Sequence, residues 1–361
     1  MAHTEGKSLA LAHELRWRWK LARLAHHASR DEAHRHPGGY AASVRASLDL
    51  YRRHGFMPDE AARLGLLQDP AGVEQRYVSK SRLVARQRAL NHPSFQELTE
   101  DKALFYVYCT KAGLPVPRML GIFLRGAAGV HWGKGPLTSA GDWTRFLEQC
   151  PDEFVVKPSR GVYGQGIIFA DRRDPAFSAA DLYRRMSTHA SYTSFIVQEC
   201  LGNHPALNAV SPSRGLQTVR VITFVRADGT VDVLMAYLKP IGGDNRVDNH
   251  NSGRTGNLLC RVDLADGRLG PLCTLTEGGI RTMPAHPGSG AVIEGHLLPL
   301  WPEVRALAQE LARQFLPMRA IGWDIAITTR GAVCIEGNAR WDPPKFGDVT
   351  ALRPVLQTED R

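Results

Sequence analysis

The sequence predicts an α+β chain: a basic, helical region over residues 1–95, then mixed helix and strand to the end. Three patterns predict this. Apolar residues recur at helical spacing through the N-terminal region. Short β-branched and aromatic runs appear from residue 154 onward. Two pairs of apolar runs are separated by polar turns. Residues 8–36 read as a basic helix, with Leu11, Leu15, Trp19 and Ala22 on one stripe and Arg16, Lys20 and Arg23 beside it. Interleaved Leu and Ala predict that this stripe packs against its own protein. His26, His27, His34 and His36 thicken the helix end, and Pro37-Gly38-Gly39 breaks it. Further helices are expected near 41–54, 58–66 and 79–90. Thr99 is placed to cap a helix from Glu100 to about Ala112, ended by Gly113 ahead of Pro115 and Pro117. Residues 154–157, 167–169 and 194–198 read as short strands. Thr218 to Val225 and Val231 to Leu238 form a hairpin around Asp228-Gly229. Residues 297–316 read as a helix with Leu297, Leu300, Val304, Leu307, Leu311 and Phe315 on its apolar face, and the Gly/Pro/Ser/His-rich stretch 278–296 as a surface loop.

Bulk properties narrow the function classes. The net charge of +9 is uneven: residues 1–90 hold 16 Lys/Arg against 9 Asp/Glu, and the rest 29 against 27. The basic character belongs to the N-terminal region, where it suits nucleic acid, an anionic membrane surface, an acidic partner enzyme or an anionic substrate. No long uncharged apolar run predicts a membrane span, and the N-terminus lacks a signal-peptide pattern. The six cysteines are scattered without a CxxC pair, which reads as reduced thiols in a cytoplasmic protein rather than a disulfide frame or a zinc site.

The chemistry is concentrated in four segments. Gly322-Trp323-Asp324-Ile325-Ala326-Ile327, a polar turn and Ala332-Val333-Cys334-Ile335-Glu336-Gly337-Asn338 read as a hairpin. Period-two alternation puts Glu336 and Asn338 on one face, and a turn centred on Arg330 sets Asp324 opposite Glu336. Cross-strand partners lie about 5 Å apart at Cβ. Two carboxylates that close repel unless a cation joins them, and Mg²⁺ suits such a hard-oxygen set; a solvated acidic face is the alternative. Trp323, Ile325, Val333 and Ile335 are expected to pack behind. Phe154-Val155-Val156-Lys157 leads into a glycine-rich loop from Gly161 to Gly166, whose backbone N–H groups can approach phosphate while Lys157 adds a point charge. It is neither a Walker nor a Rossmann pattern, and a plain glycine-rich turn is the alternative. Val197-Gln198-Glu199-Cys200-Leu201 closes a strand that either offers backbone groups to an adenine edge or simply ends. Arg220 lies inside the apolar strand Thr218–Phe224, which demands an anion, either a ligand or an internal carboxylate. Lys239 ends the partner strand, and Asn249 lies in the polar loop 247–253.

In this order, Asp101-Lys102, Lys157 with its glycine loop, Gln198-Glu199-Cys200-Leu201, Thr218-x-Arg220-Val221 and Asp324…Glu336-x-Asn338 resemble the ATP-grasp superfamily over roughly residues 75–350. Arg76-Tyr77-Val78-Ser79, Leu90-Asn91, His204-Pro205 and Val247-Asp248-Asn249 resemble its sugar-transfer-associated branch most. The resemblance implies two α+β subdomains, 96–192 and 193–361, gripping ATP beside the N-terminal helical region. It implies that Lys102 and Lys157 contact the phosphates under a lid containing Gly161, Tyr163, Gly164 and Gly166. Gln198, Glu199, Cys200 and Leu201 fall where the superfamily reads adenine. Asp324, Glu336 and Asn338 fall on the ligands of two Mg²⁺ ions. Arg220 matches the arginine steadying the transferring phosphate, and Lys239 and Asn249 match polar positions near the γ-phosphate and acceptor. The activity implied is ATP-dependent ligation of a small-molecule carboxylate to an amine, in the biosynthesis of a peptide-like or sugar-linked metabolite. A kinase acting on a hydroxyl through the same site, and a basic helical module binding nucleic acid or membrane, are the alternatives. Two departures bear on substrate identity: residues 1–95 read as helical where the superfamily has a small α/β unit, and Asn338 is followed by Ala339-Arg340-Trp341-Asp342-Pro343 rather than Asn-x-x-Pro-Gly.

Overall fold

The computed structural model describes residues 2–32, 38–276, 279–346 and 348–357, with side chains in the first helix from residue 15 onward. Leu11, His34, His36 and Pro37 therefore fall outside the described side chains. The chain divides into two compact units. One comprises residues 1–87, 273–282 and 342–361; the other comprises 88–272 and 283–341.

The first unit opens with α1 (Ala2–Glu32), α2 (Gly39–His54), α3 (Pro58–Arg63), α4 (Val73–Arg76) and α5 (Lys80–Leu90), whose last turn runs into the second unit. Gly55, at φ +75°, closes α2 in the left-handed conformation that glycine adopts without a Cβ penalty. Pro58 starts α3, where its missing N–H costs nothing. Leu50, Phe56, Leu66, Leu67 and Tyr77 form the core of this unit. The expected apolar stripe on α1 does not pack. Leu15, Trp19 and Ala22 are exposed, and the helix instead buries Ala25, Ala28 and Ser29. A 3.6-residue pattern finds a stripe but does not name what covers it.

The second unit begins with α6 (Pro93–Glu100) and α7 (Lys102–Lys111). The single helix expected from Glu100 is instead broken at Asp101, whose side chain caps α7 from extended backbone; Thr99 lies inside α6, bonded to the carbonyl of Gln96. Next come β1 (Met119–Leu124), β2 (Gly129–His131), β3 (Gly135–Leu137), α8 (Ala140–Glu148), β4 (Glu153–Pro158), β5 (Ile168–Asp171), α9 (Ala179–Ser187) and β6 (Ser194–Glu199). These strands form an antiparallel sheet in the order β3-β2-β1-β6-β4-β5. α8 and α9 cover it with Trp143, Phe146, Leu147, Leu182 and Met186.

After α10 (Pro205–Val210) come β7 (Thr218–Val225), β8 (Val231–Leu238), β9 (Leu259–Val262), β10 (Leu269–Thr276) and β11 (Gly279–Met283). β11 corrects the expectation of a loop over all of 278–296. α11 (Trp301–Gln314), β12 (Ala320–Thr328) and β13 (Gly331–Asn338) follow, and α12 (Arg353–Leu356) returns to the first unit. The second sheet carries β9-β8-β7-β12-β13 as an antiparallel run. α11 packs Val304, Leu307 and Leu311 into its core; Leu297 and Leu300 precede the helix, Leu300 as its N-cap at φ +54°. Asn91 fastens the sheet end from below. Its amide donates to the carbonyls of Ala320 (2.7 Å) and Ala339 (2.9 Å) and accepts from the N–H groups of Arg319 (2.9 Å) and Ala320 (3.0 Å). Among the described residues, no helix is long and apolar enough to cross a membrane.

Candidate active site

The β12–β13 hairpin pairs Asp324 with Glu336, as its alternation predicts, but by a different route. The turn is tight, with Thr328 opposite Gly331, and Ile335 is an unpaired bulge that shifts the register back by one. The bulge also re-aims the apolar side: Cys334 joins Trp323 and Ile325 in the core, while Ile335 is only half-buried. Across the sheet, Tyr237, Arg220, Asp324 and Glu336 are successive cross-strand partners on β8, β7, β12 and β13. One cation and two neighbouring carboxylates therefore line up across the strands on one face.

Arg220 grips Asp324 in a two-point fork, Nε to Oδ1 at 2.6 Å and Nη2 to Oδ2 at 2.9 Å. Gly322, beside Asp324 on that face, makes room: a Cβ there would lie 3.2 Å from Arg220 Cδ. Lys239 Nζ lies 3.2 Å from Asp324 Oδ2 and 3.3 Å from Asp248 Oδ2. Asp248 accepts from the N–H of Thr218 at 2.9 Å and from its hydroxyl. All four charged side chains are largely buried. Burial alone would raise the Asp324 pKa, but Arg220 and Lys239 hold it well below the usual carboxylate range. Burial opposes the Lys239 charge, yet Asp248 and Asp324 raise its pKa overall. Burial raises that of Asp248. Of the two readings of Arg220, the internal carboxylate is its partner.

A second group of cations, from the end of β4 and the start of α7, faces Glu336. Lys157, at the end of β4, is 6 % exposed and donates to Tyr106 Oη at 2.9 Å; that hydroxyl donates to the carbonyl of Ile335 at 2.8 Å. Burial, and then the nearby charge of Lys102, push Lys157 down to about 7. Lys102 Nζ donates to the carbonyl of Gly161 at 2.8 Å and lies 3.7 Å from Glu336 Oε2. Asn338 Nδ2 lies 3.4 Å from Glu336 Oε1 and 3.3 Å from the carbonyl of Gly322. Asp101 ties these pieces together. Its carboxylate accepts from Ala103 N (2.9 Å) and Leu104 N (3.2 Å) and from the hydroxyl of Ser159, while Lys102 N donates to Ser159 O at 2.8 Å.

The glycine loop leans on residues 247–249. Asn249 Nδ2 donates to the carbonyl of Tyr163 at 3.3 Å, and a Cβ on Gly164 would lie 2.8 Å from Val247 Cγ1. Gly164 and Gly166 both sit at φ +73°, and Tyr163 at +56°. The Gln198–Leu201 segment forms a separate group at the end of β6. Glu199 Oε1 accepts from Arg118 N at 2.7 Å and Arg330 Nη2 at 2.6 Å, so its carboxylate braces the strand end. Gln198 shares a sheet face with Lys157 through its register, and its buried Oε1 has no protein partner. Cys200 and Leu201 are half-buried.

Sequence reasoning did not single out Tyr106 or the carboxylate of Asp248. Tyr106 lies four residues after Lys102, a spacing that sets both on one helical face. Asp248 is a carboxylate in a loop following Lys239, without periodicity to mark it.

The signature described as "Sugar-transfer associated ATP-grasp" matches residues 85–358. The chain belongs to this family. Its fold is thus the ATP-grasp α+β fold, joined to a mainly helical N-terminal region. Solved structures similar to this ATP-grasp chain include D-alanyl-alanine synthetase A from Vibrio cholerae, at 12% identity and TM-score 0.40 over 72% of this chain and 60% of that one. The biotin carboxylase of Campylobacter jejuni matches at 11% identity and TM-score 0.40 over 82% and 49%. The L-amino acid ligase of Bacillus licheniformis matches at 12% and 0.36 over 68% and 41%. The chain thus spans 41–60% of the length of these three solved chains. No curated protein matches it.

Proposed function

We propose that this ATP-grasp protein is an ATP- and Mg²⁺-dependent ligase that joins a small-molecule carboxylate to an amine, with residues 96–192 and 193–361 closing on the nucleotide. One observation carries the reading. Lys102 and Lys157, from different elements, converge beside Glu336 and Asn338, and burial, then the neighbouring charge of Lys102, disfavour the charged form of Lys157. A buried, cation-crowded cradle of this kind is relieved by a polyanion, and a polyphosphate supplies one.

The donor set suits the metal. Glu336, Asn338 and, opposite them, Asp324 offer only oxygen and carry no sulfur or imidazole, which matches the preference of Mg²⁺. These residues would hold it, and bound Mg²⁺ would neutralise charge on the transferring phosphoryl oxygens. Asp324 comes to that task already charged at any ordinary pH, because Arg220 and Lys239 keep it so. Lys102 and Lys157 would bind and orient the phosphates. The loop from Gly161 to Gly166, latched to Asn249 through Tyr163, would exclude water. Exclusion matters for this reaction class: the carboxylate attacks the γ-phosphorus, ADP leaves, and the resulting acyl phosphate must meet the amine before it meets water. Gln198, with its open buried acceptor, and the backbone of Glu199 to Leu201 would face the adenine; Arg220 and Lys239 would steady the transferring group through Asp324.

The experiment is a screen of carboxylic acids and amines for ADP release, with the product analysed by mass. An amide product supports the ligase and a phosphorylated hydroxyl overturns it in favour of a kinase. Glu336→Ala is expected to abolish ADP release while retaining the thermal melt; turnover at the native rate would overturn the site.

A further inference from the structure

The outer face of α1 takes no part in the site just described. Its inner face is settled by packing. Ala25, Ala28 and Ser29 are buried, and Trp17 Nε1 donates to Tyr51 Oη of α2 at 3.0 Å. The outer face carries the stripe that sequence periodicity sends inward. Leu15 is 57 % exposed and Trp19 64 % exposed, one helical turn apart, with exposed Ala22 beyond them. Two apolar side chains this bare on neighbouring turns form a patch that water disfavours.

Cations border the patch. Arg16, Lys20 and Arg23 are exposed beside it, and residues 15–30 contain no acid. Two of these cations are held with indole rings: Lys20 Nζ lies 5.4 Å from the Trp17 ring centroid, and Arg23 Cζ lies 5.0 Å from that of Trp19. Charge and aromatic surface are therefore presented together. An apolar strip of Leu15, Trp19 and Ala22, flanked by Lys and Arg, matches a helix lying in the plane of a bilayer. Its rings sit at headgroup depth and its cations meet lipid phosphates. Phosphate groups of nucleic acid would use the cations but not Leu15. A span is not at issue, since no described helix is long and apolar enough to cross.

We propose that the outer face of α1, with Leu15 and Trp19 at its centre and Arg16, Lys20 and Arg23 along its edge, docks this protein on an anionic phospholipid surface.

The test is flotation of the full 361-residue chain with vesicles of phosphatidylcholine alone and of an equimolar mixture with phosphatidylglycerol. The chain is expected to float with the mixed vesicles only, and to be released at about 1 M salt, where the Debye length is near 3 Å. Leu15→Ser with Trp19→Ser should weaken partitioning at least about tenfold, from two lost apolar anchors. Lys20→Glu with Arg23→Glu should weaken it about a hundredfold or more, from two reversed charges. Failure of the unaltered chain to float at low salt overturns the proposal without any variant. So does flotation that ignores lipid charge, or that survives both double substitutions in proteins with unchanged thermal melts. Binding of a DNA duplex that ignores Leu15→Ser, with no vesicle binding, assigns the face to nucleic acid instead.

Discussion

On the proposed role of Lys157, nucleotide binding is expected to be coupled to proton uptake. In the free protein the Lys157 pKa is pushed down to about 7, first by burial and then by Lys102. At pH 8 about one-tenth of the molecules carry the Lys157 proton, and at pH 6 about nine-tenths do. A polyphosphate bound as proposed would place an anion next to the amine and return its pKa to the ordinary lysine range. Binding at pH 8 should therefore take up about 0.9 proton, and binding at pH 6 about 0.1. The phosphate's own last proton, with a pKa of about 6, is already gone at pH 8 and does not blur the count. Calorimetric titration with MgADP, in pairs of buffers of unlike ionisation enthalpy, reads the uptake directly. An enthalpy that is the same in both buffers at pH 8 refutes the reasoning. Lys157→Met supplies the control: uptake should vanish and affinity should fall. The same shift has a sign in stability. The folded pKa lies below the unfolded one, so between about pH 7 and the ordinary lysine value of 10.5 the unfolded chain holds more protons. This group's contribution therefore favours folding increasingly as pH rises through that window, and Lys157→Met should flatten the rise.

Two further substitutions probe what holds the site. Asp324→Asn takes the carboxylate from Arg220 and leaves Lys239 with Asp248 alone, and should cost about 3–5 kcal/mol in urea unfolding. In a double-mutant cycle with Arg220→Met the two losses should fall well short of additive. Asn91→Ala strands three main-chain partners at the base of β12, one of them bonded twice. It should cost about 2–4 kcal/mol by the same measurement, and a loss under about 0.5 kcal/mol would show that water replaces the amide.

The parts of this molecule legible in its sequence are those governed by period and turn. The β7–β8 hairpin matches its expected bounds at both strands, because Asp228-Gly229 fixes the turn, although Leu234 bulges from the ladder. The pairing of Asp324 with Glu336 was legible too, although the tight turn and the Ile335 bulge are two departures that cancel. The break at Asp101 was not. Thr99 and Asp101 are both capping residues, and the choice falls to Ser159, more than fifty residues away, which bonds the Asp101 carboxylate. The network of Lys239 with Asp248 was equally hidden, since it depends on how a loop folds back over a strand end. The α1 stripe shows the limit most plainly: its residues read as buried, and the first unit leaves them in solvent.

The buried set of Arg220, Asp324, Lys239 and Asp248 also bears on how this lineage can change. Two acids and two bases share an interior with little solvent, so altering any one strands an odd charge. A single substitution passes through a poorly folded ancestor, and only paired exchanges keep the account balanced. The four positions should therefore be inherited as one character, with relatives that lack Lys239 also lacking an acid at 248.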